Sequence, residues 1–153
     1  MYLGIFAERL KDLMELEGTS IRALSIKLNV DRKSIRHWLQ AKHFPRYDAF
    51  VKLAVYYQVS LDYLVGLDDS FLCSPNLFTD EGALERIRVD FLENLSSYMH
   101  AHKLTRYALS KELQIAQKPI TNWLTKGSMP EVGTLIKLAQ LMNCSLATLL
   151  SHG

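Results

Sequence analysis

Residues 32–45 read RKSIRHWLQAKHFP, and residues 117–130 read QKPITNWLTKGSMP. Both fit the frame K-x-I-x-x-W-L-x-x-x-x-x-P, while the polar letters between the shared ones differ. A constant apolar frame with variable polar positions is expected where one set of residues builds a fold and the other meets a partner.

The likeness extends outward on both sides. Residues 6–66 lie against 91–151 at an offset of 85 (91 − 6) without a gap, and about 19 of 61 positions are identical. They include Phe6/Phe91, Leu10/Leu95, Met14/Met99, Ala23/Ala108, Leu24/Leu109, Leu28/Leu113, Ile35/Ile120, Trp38/Trp123, Pro45/Pro130, Leu53/Leu138, Leu61/Leu146 and Leu64/Leu149. Most are apolar and recur at helical spacing, so the repeat preserves a core. Each copy has the size at which a small helical domain folds alone. We therefore expect a first domain over 1–66, a linker over 67–81 and a second domain over 82–153.

Helix punctuation is legible inside each copy. Leu3, Phe6, Leu10, Leu13 and Met14 form one stripe that Gly18 closes. Ser20 is placed to cap a second helix whose Ala23, Leu24 and Leu28 face inward, and Asn29 suits a left-handed turn. Asp31 is placed to cap RKSIRHWLQ, Pro45 breaks the chain, DAFVKLAVYY forms a fourth helix and Ser60 caps LDYLV. The second copy predicts helices over 82–102, 105–113, 117–126, 131–142 and 145–151. There Pro119 falls third after Ala116, where an amide would find no side-chain acceptor and proline has none to satisfy.

Composition narrows the function classes. The 153 residues are 48% hydrophobic and 22% charged, which excludes disordered and fibrous classes. No apolar run reaches the roughly 18 residues of a membrane span, and MYLGIFAERLKD meets charges too early for a signal peptide, so a cytoplasmic protein is expected. Cys73 and Cys144 lack CxxC partners and read as small apolar residues rather than zinc ligands or a disulfide. The net charge of +2 is small but uneven: residues 1–66 carry 10 Lys/Arg against 7 Asp/Glu, residues 67–88 carry 2 against 5, and residues 89–153 carry 6 against 4. Two basic lobes thus flank an acidic connection. In that connection Phe71, Leu72, Leu77 and Phe78 are too apolar for a free tether and are expected to pack on a lobe, with partner binding as the other reading.

The stretches SIRALSIKLNVDRKSIRHWL…P…FVKLAVYYQVSLDYLVG and TRYALSKELQIAQKPITNWL…P…LIKLAQLMNCSLATLL together resemble the lambda-repressor/Cro-like, or XRE, helix-turn-helix family. The resemblance implies an all-α protein of two tandem five-helix domains, in each of which the third helix enters the major groove of double-stranded DNA. It also implies a transcriptional regulator, usually a repressor. The chain departs from the family where Ile21 and Arg106 stand in place of a common Gln, where Asn29 and Gln114 stand in place of a turn Gly, and where Leu39 and Leu124 follow the tryptophans.

Major-groove reading needs donors and acceptors on the outward face of that third helix, with Lys, Arg or short polar residues at its ends for phosphates. In the first copy these are Arg32, Lys33, Arg36, His37 and Gln40, followed by Lys42, His43 and Arg46. In the second they are Gln117, Lys118, Thr121, Asn122, Thr125, Lys126 and Ser128, with Arg106 at the start of the preceding helix. The competing reading of either set is a solvated helix face. Ile35, Trp38 and Trp123 read as core. His37 and His43 read as polar surface groups, and His100 and His102, two apart on a helix, point to different sides and cannot chelate one ion. No cofactor or metal is expected, nor any enzymatic activity: the chain lacks a phosphate-cradling glycine loop, an HExxH and a nucleophile elbow.

Two arrangements follow. An intramolecular pair of units with unlike reading helices predicts unlike half-sites about one helical turn, roughly 34 Å, apart. A homodimer through the second domain predicts a palindrome read by the first domain alone. A function of another class, an adaptor resembling an antirepressor or antitoxin, would use the linker or the second domain to hold a protein partner.

Overall fold

The computed structural model describes residues 1–69 and 83–151. Cys73 and the apolar quartet Phe71, Leu72, Leu77 and Phe78 lie outside these residues. The chain divides into two compact units, Met1–Phe78 and Thr79–Gly153. The described residues are all-α, and each unit contributes five helices.

In the first unit these are α1 (Tyr2–Glu17), α2 (Ile21–Leu28), α3 (Arg32–Leu39), α4 (Tyr47–Tyr57) and α5 (Leu61–Val65). The buried stripe of α1, Phe6, Ala7, Leu10, Leu13 and Met14, packs against α3 and α5, while α2 packs on α3 and α4. Phe6 is fully buried, with the Phe44 ring 5.8 Å and the Phe50 ring 6.3 Å from its own. Removing an aromatic side chain of this size from water contributes roughly 1.5–3 kcal/mol. Gly18 ends α1 at φ +64, and the Thr19 amide donates back to the Met14 carbonyl at 2.8 Å. Such a left-handed cap is cheapest at glycine.

The second unit repeats the plan with α6 (Ala83–Ala101), α7 (Arg106–Leu113), α8 (Gln117–Lys126), α9 (Val132–Leu141) and α10 (Leu146–Leu149). Phe91 takes the part of Phe6, its ring 6.3 Å from that of Trp123. Three of the left-handed positions repeat at the same offset even where their identity changes. Gly18 answers to Lys103 (φ 53), Asn29 (φ 55) to Gln114 (φ 57), and Gln58 (φ 57) to Asn143 (φ 53). Backbone shape is thus conserved between the units at places where residue type is not.

Two local expectations need correction. Ala23 does not face inward: it is exposed, and its amide donates to the Ser20 hydroxyl at 3.0 Å, because the third helical position belongs to the cap rather than to the stripe of Leu24 and Leu28. Asp31 holds the extended N-cap backbone of α3, yet its carboxylate makes no capping hydrogen bond, and α3 stops at Leu39 rather than Gln40. The other caps form as expected, Ser60 accepting from the Tyr63 amide at 2.9 Å. Ala116 caps nothing, and Pro119 sits at the third helical position of α8 with no amide to satisfy.

Candidate nucleic-acid interface

The turn between α2 and α3 is set by Asn29, whose left-handed backbone sends the chain back across α2. Leu24 and Leu28 on α2 are buried, as are Ile35 and Trp38 on α3. That packing turns the opposite side of α3 outward. Arg32, Lys33, Arg36 and Gln40 are exposed and His37 is half-buried; at three- and four-residue spacing they share one face. The loop after α3 adds Lys42 and His43, and Arg46, at the N-cap of α4, is exposed as well.

A short motif fixes this loop. Ala41 adopts φ 55, its amide donates to the Trp38 carbonyl at 3.1 Å, and the Lys42 amide donates to the His37 carbonyl at 2.9 Å. Beyond it Phe44 packs on Phe6 and Pro45 is buried. The reversal carries His43 onto the side of His37, with His43 Nε2 3.3 Å from His37 Nδ1 and the rings edge to face at 5.3 Å. Desolvation, then the cationic neighbours Lys42, His43 and Lys33, hold His37 below the ordinary imidazole pKa.

The second unit presents a different face. Gln117, Lys118, Thr125, Lys126 and Ser128 are exposed, while Thr121 and Asn122 are half-buried beside Ile120 and Trp123. The Thr125 hydroxyl donates to the Thr121 carbonyl at 2.6 Å, which commits its hydrogen within the helix. Arg106, at the first position of α7, reaches across to α8 with Nη1 3.5 Å from the Thr121 hydroxyl. Helix α8 runs two residues further than α3 before Gly127 ends it at φ +70. Arg88 of α6 secures that end, donating from Nη2 and Nε to the Gly127 carbonyl at 2.7 and 3.1 Å. The cations around the two faces are Arg32, Lys33, Arg36, Lys42 and Arg46 against Arg106, Lys118 and Lys126.

The structure therefore brings the expected residues of each unit onto one face of one helix and its flanks. Three features lie beyond the sequence expectations: the His37–His43 contact, the Arg88 brace, and the ties that Arg9 and Asn94 make to the ends of their own units. The last pair was detectable, since Arg9 and Asn94 are polar residues in register on otherwise amphipathic first helices. The His contact had no such signal, because a six-residue spacing brings two side chains together only when the intervening turn is known.

Among the described residues no group of three His, Cys, Asp or Glu could hold a metal ion. His102 stacks on Tyr98, with ring centres 4.2 Å apart. No helix among them is long and apolar enough to cross a membrane.

Comparison with known families identifies both units as helix-turn-helix domains. Residues 5–64 match the family model of a helix-turn-helix domain, and residues 94–152 match that of the Cro/C1-type HTH DNA-binding domain. No curated protein and no solved structure matches the chain. With geometry and family models in agreement on both units, the chain carries two helix-turn-helix domains in tandem, the second of the Cro/C1 type, an arrangement consistent with Cro-like (XRE) domains.

Proposed function

We propose that the chain is a sequence-specific transcriptional regulator acting as a repressor in the cytoplasm. Its first domain (1–66) is the stronger reader and its second (82–153) reads an adjacent major-groove site, the two joined by a linker over 67–81. The observation that carries this reading is the exposed face of α3, where Arg32, Lys33, Arg36 and Gln40 stand clear of the core and Lys42 and Arg46 flank them. Guanidinium and ammonium groups in this placement suit guanine edges and phosphates. The face of α8 is less charged; Gln117 and Asn122 suit adenine, and the Thr121 and Thr125 methyl groups suit thymine.

A second reading is a protein-binding adaptor of the antirepressor or antitoxin kind, with the second domain used for dimerisation or for a partner. It is favoured by the half-burial of Thr121 and Asn122 and by the internal hydrogen bond of Thr125, which reduce the groups α8 offers to a base edge. Selection of bound sequences from a random duplex pool, with the intact chain at two salt concentrations, separates the two. An enriched motif whose affinity falls steeply with salt supports the regulator, because phosphate contacts release condensed counterions. No motif, no salt dependence and a co-purifying polypeptide support the adaptor.

A further inference from the structure

The two histidines on the α3 face constrain each other's protons. His43 Nδ1 lies 3.0 Å from the Phe44 carbonyl oxygen, and a carbonyl only accepts, so Nδ1 carries hydrogen. Neutral His43 then has a bare Nε2, which faces His37 Nδ1 at 3.3 Å. Two bare nitrogens at that distance would set lone pair against lone pair, so His37 carries its hydrogen on Nδ1. Its Nε2 is left with a lone pair, on a residue that shares the exposed face of α3 with Lys33, Arg36 and Gln40.

We infer that His37 is a specificity-determining residue of the first domain: with the pair neutral it accepts a hydrogen bond from an exocyclic amino group in the major groove, adenine N6 or cytosine N4. This rests on the DNA-reading function proposed above. Only those two groups donate in the groove, whereas guanine O6 and N7, thymine O4 and adenine N7 accept.

One added proton reverses the preference. Three ring hydrogens must then be shared among four nitrogens: His43 Nδ1 keeps its bond to Phe44, one hydrogen lies between the rings, and the third falls on His37 Nε2. The same result follows whichever ring is counted as the cation, so Nε2 becomes a donor and favours guanine or thymine over cytosine, which has no acceptor there, and over adenine, whose N7 stands beside an amino donor. The charges that act on His37 are Lys33 on its own helix and Lys42 and His43 in the loop, and none of these comes from α1 or α2. Desolvation first, and then these charges, hold His37 on the acid side of the usual imidazole value. The second domain has no counterpart, since Asn122 stands in place of His37 and offers both a donor and an acceptor at any pH.

The test is selection from random duplex DNA with the intact chain at about pH 8 and about pH 5.5, on either side of ordinary imidazole titration. It is paired with long-range nitrogen–proton spectra of the histidine rings in the free protein. We expect one position of the first domain's half-site to move from adenine or cytosine toward guanine or thymine on acidification, by about tenfold in base ratio. His43→Ala, at an exposed site, frees the tautomer and relaxes that position at pH 8. His37→Asn abolishes the pH dependence there. The inference is overturned if the same base is chosen at both pH values, or if the spectra place hydrogen on His37 Nε2 at pH 8. Absence of any motif at either pH, with the spectra as expected, overturns the DNA-reading function instead.

Discussion

Arg9 and Asn94 stand 85 positions apart (94 − 9) and close the same joint in the two units with different chemistry. Arg9 donates from Nη1 to the carbonyls of Tyr63 and Asp68, the latter at 2.8 Å, and lays its guanidinium 4.3 Å over the Tyr63 ring. Its Nη2 meets Asp69 Oδ1 at 2.8 Å. Asn94 donates from Nδ2 to the carbonyls of Thr148, Leu149 and Ser151 at 3.1, 2.8 and 2.9 Å. Tyr63 and Thr148 are themselves one repeat apart, so each first helix holds the end of the last helix of its own unit.

A short helix such as α10 leaves its final carbonyls without partners of its own, and Asn94 supplies them. Asn94→Ala is expected to destabilise the second unit by about 1–2 kcal/mol, since a net hydrogen bond contributes around 1 kcal/mol and partial exposure limits the remainder. Arg9→Ala is expected to cost the first unit a similar amount, with little coming from the exposed Asp69 pair. Urea melts of each variant, followed at Trp38 for one unit and Trp123 for the other, check both. An Asn94→Ala change that shifts only the Trp38 transition would contradict the assignment.

Caps that look alike in sequence separate in the structure. Ser20 and Thr105 accept from the amides of Ala23 and Ala108 at 3.0 Å, so replacing either hydroxyl residue with alanine is expected to cost about 1 kcal/mol. Asp31 makes no such bond and contributes only through its charge at the start of α3, so Asp31→Ala is expected to cost less than Ser20→Ala. Denaturant midpoints rank the three variants; a larger loss for Asp31 than for Ser20 would refute this account.

On DNA the two kinds of contact are expected to part company. Arg36, mid-helix on the exposed face of α3, is placed for a base edge, and Arg36→Ala should cost about 1–3 kcal/mol while relaxing one position of the site. Lys42, in the loop beyond the helix, is placed for a phosphate, so Lys42→Ala should weaken all sequences alike and lower the salt slope by about 1. Lys118→Ala should change affinity less than Arg36→Ala if the first domain is the stronger reader. Titrations at several salt concentrations decide among these; an Arg36→Ala chain with unchanged affinity would remove α3 as the reading helix.

The core and the helix order were legible because they rest on apolar periodicity, which appears twice and in register. Phe6, Trp38 and their counterparts Phe91 and Trp123 need no knowledge of the turns to be recognised as interior. The left-handed positions were only partly legible. Asn29 announces itself and Asn143 carries the same signal, but Ala41, Gln58, Lys103 and Gln114 adopt the same backbone without a residue type that favours it. In these cases the packing of the flanking helices imposes the conformation against local preference. What depends on those turns, above all the meeting of His37 and His43, was therefore hidden. Ala23 was misplaced for the opposite reason, since its identity repeats with the core while its position belongs to a cap.

The start of α8 allows that logic of caps to be built rather than removed. Ala116 supplies no acceptor and Pro119 presents no amide, so the two absences offset each other. Ala116→Ser alone is expected to gain little, because the hydroxyl bonds to the third helical amide at Ser20, Ser60, Thr105 and Ser145 alike, and proline removes that amide here. Pro119→Ala alone restores the amide without a partner and gives up the restriction proline places on the unfolded chain, so it should be neutral or slightly destabilising. Together the changes should stabilise the second unit by about 1 kcal/mol relative to the Pro119→Ala variant. A double-mutant cycle on the Trp123 transition measures the coupling. Strict additivity of the two changes would show that the missing amide and the missing acceptor are unrelated.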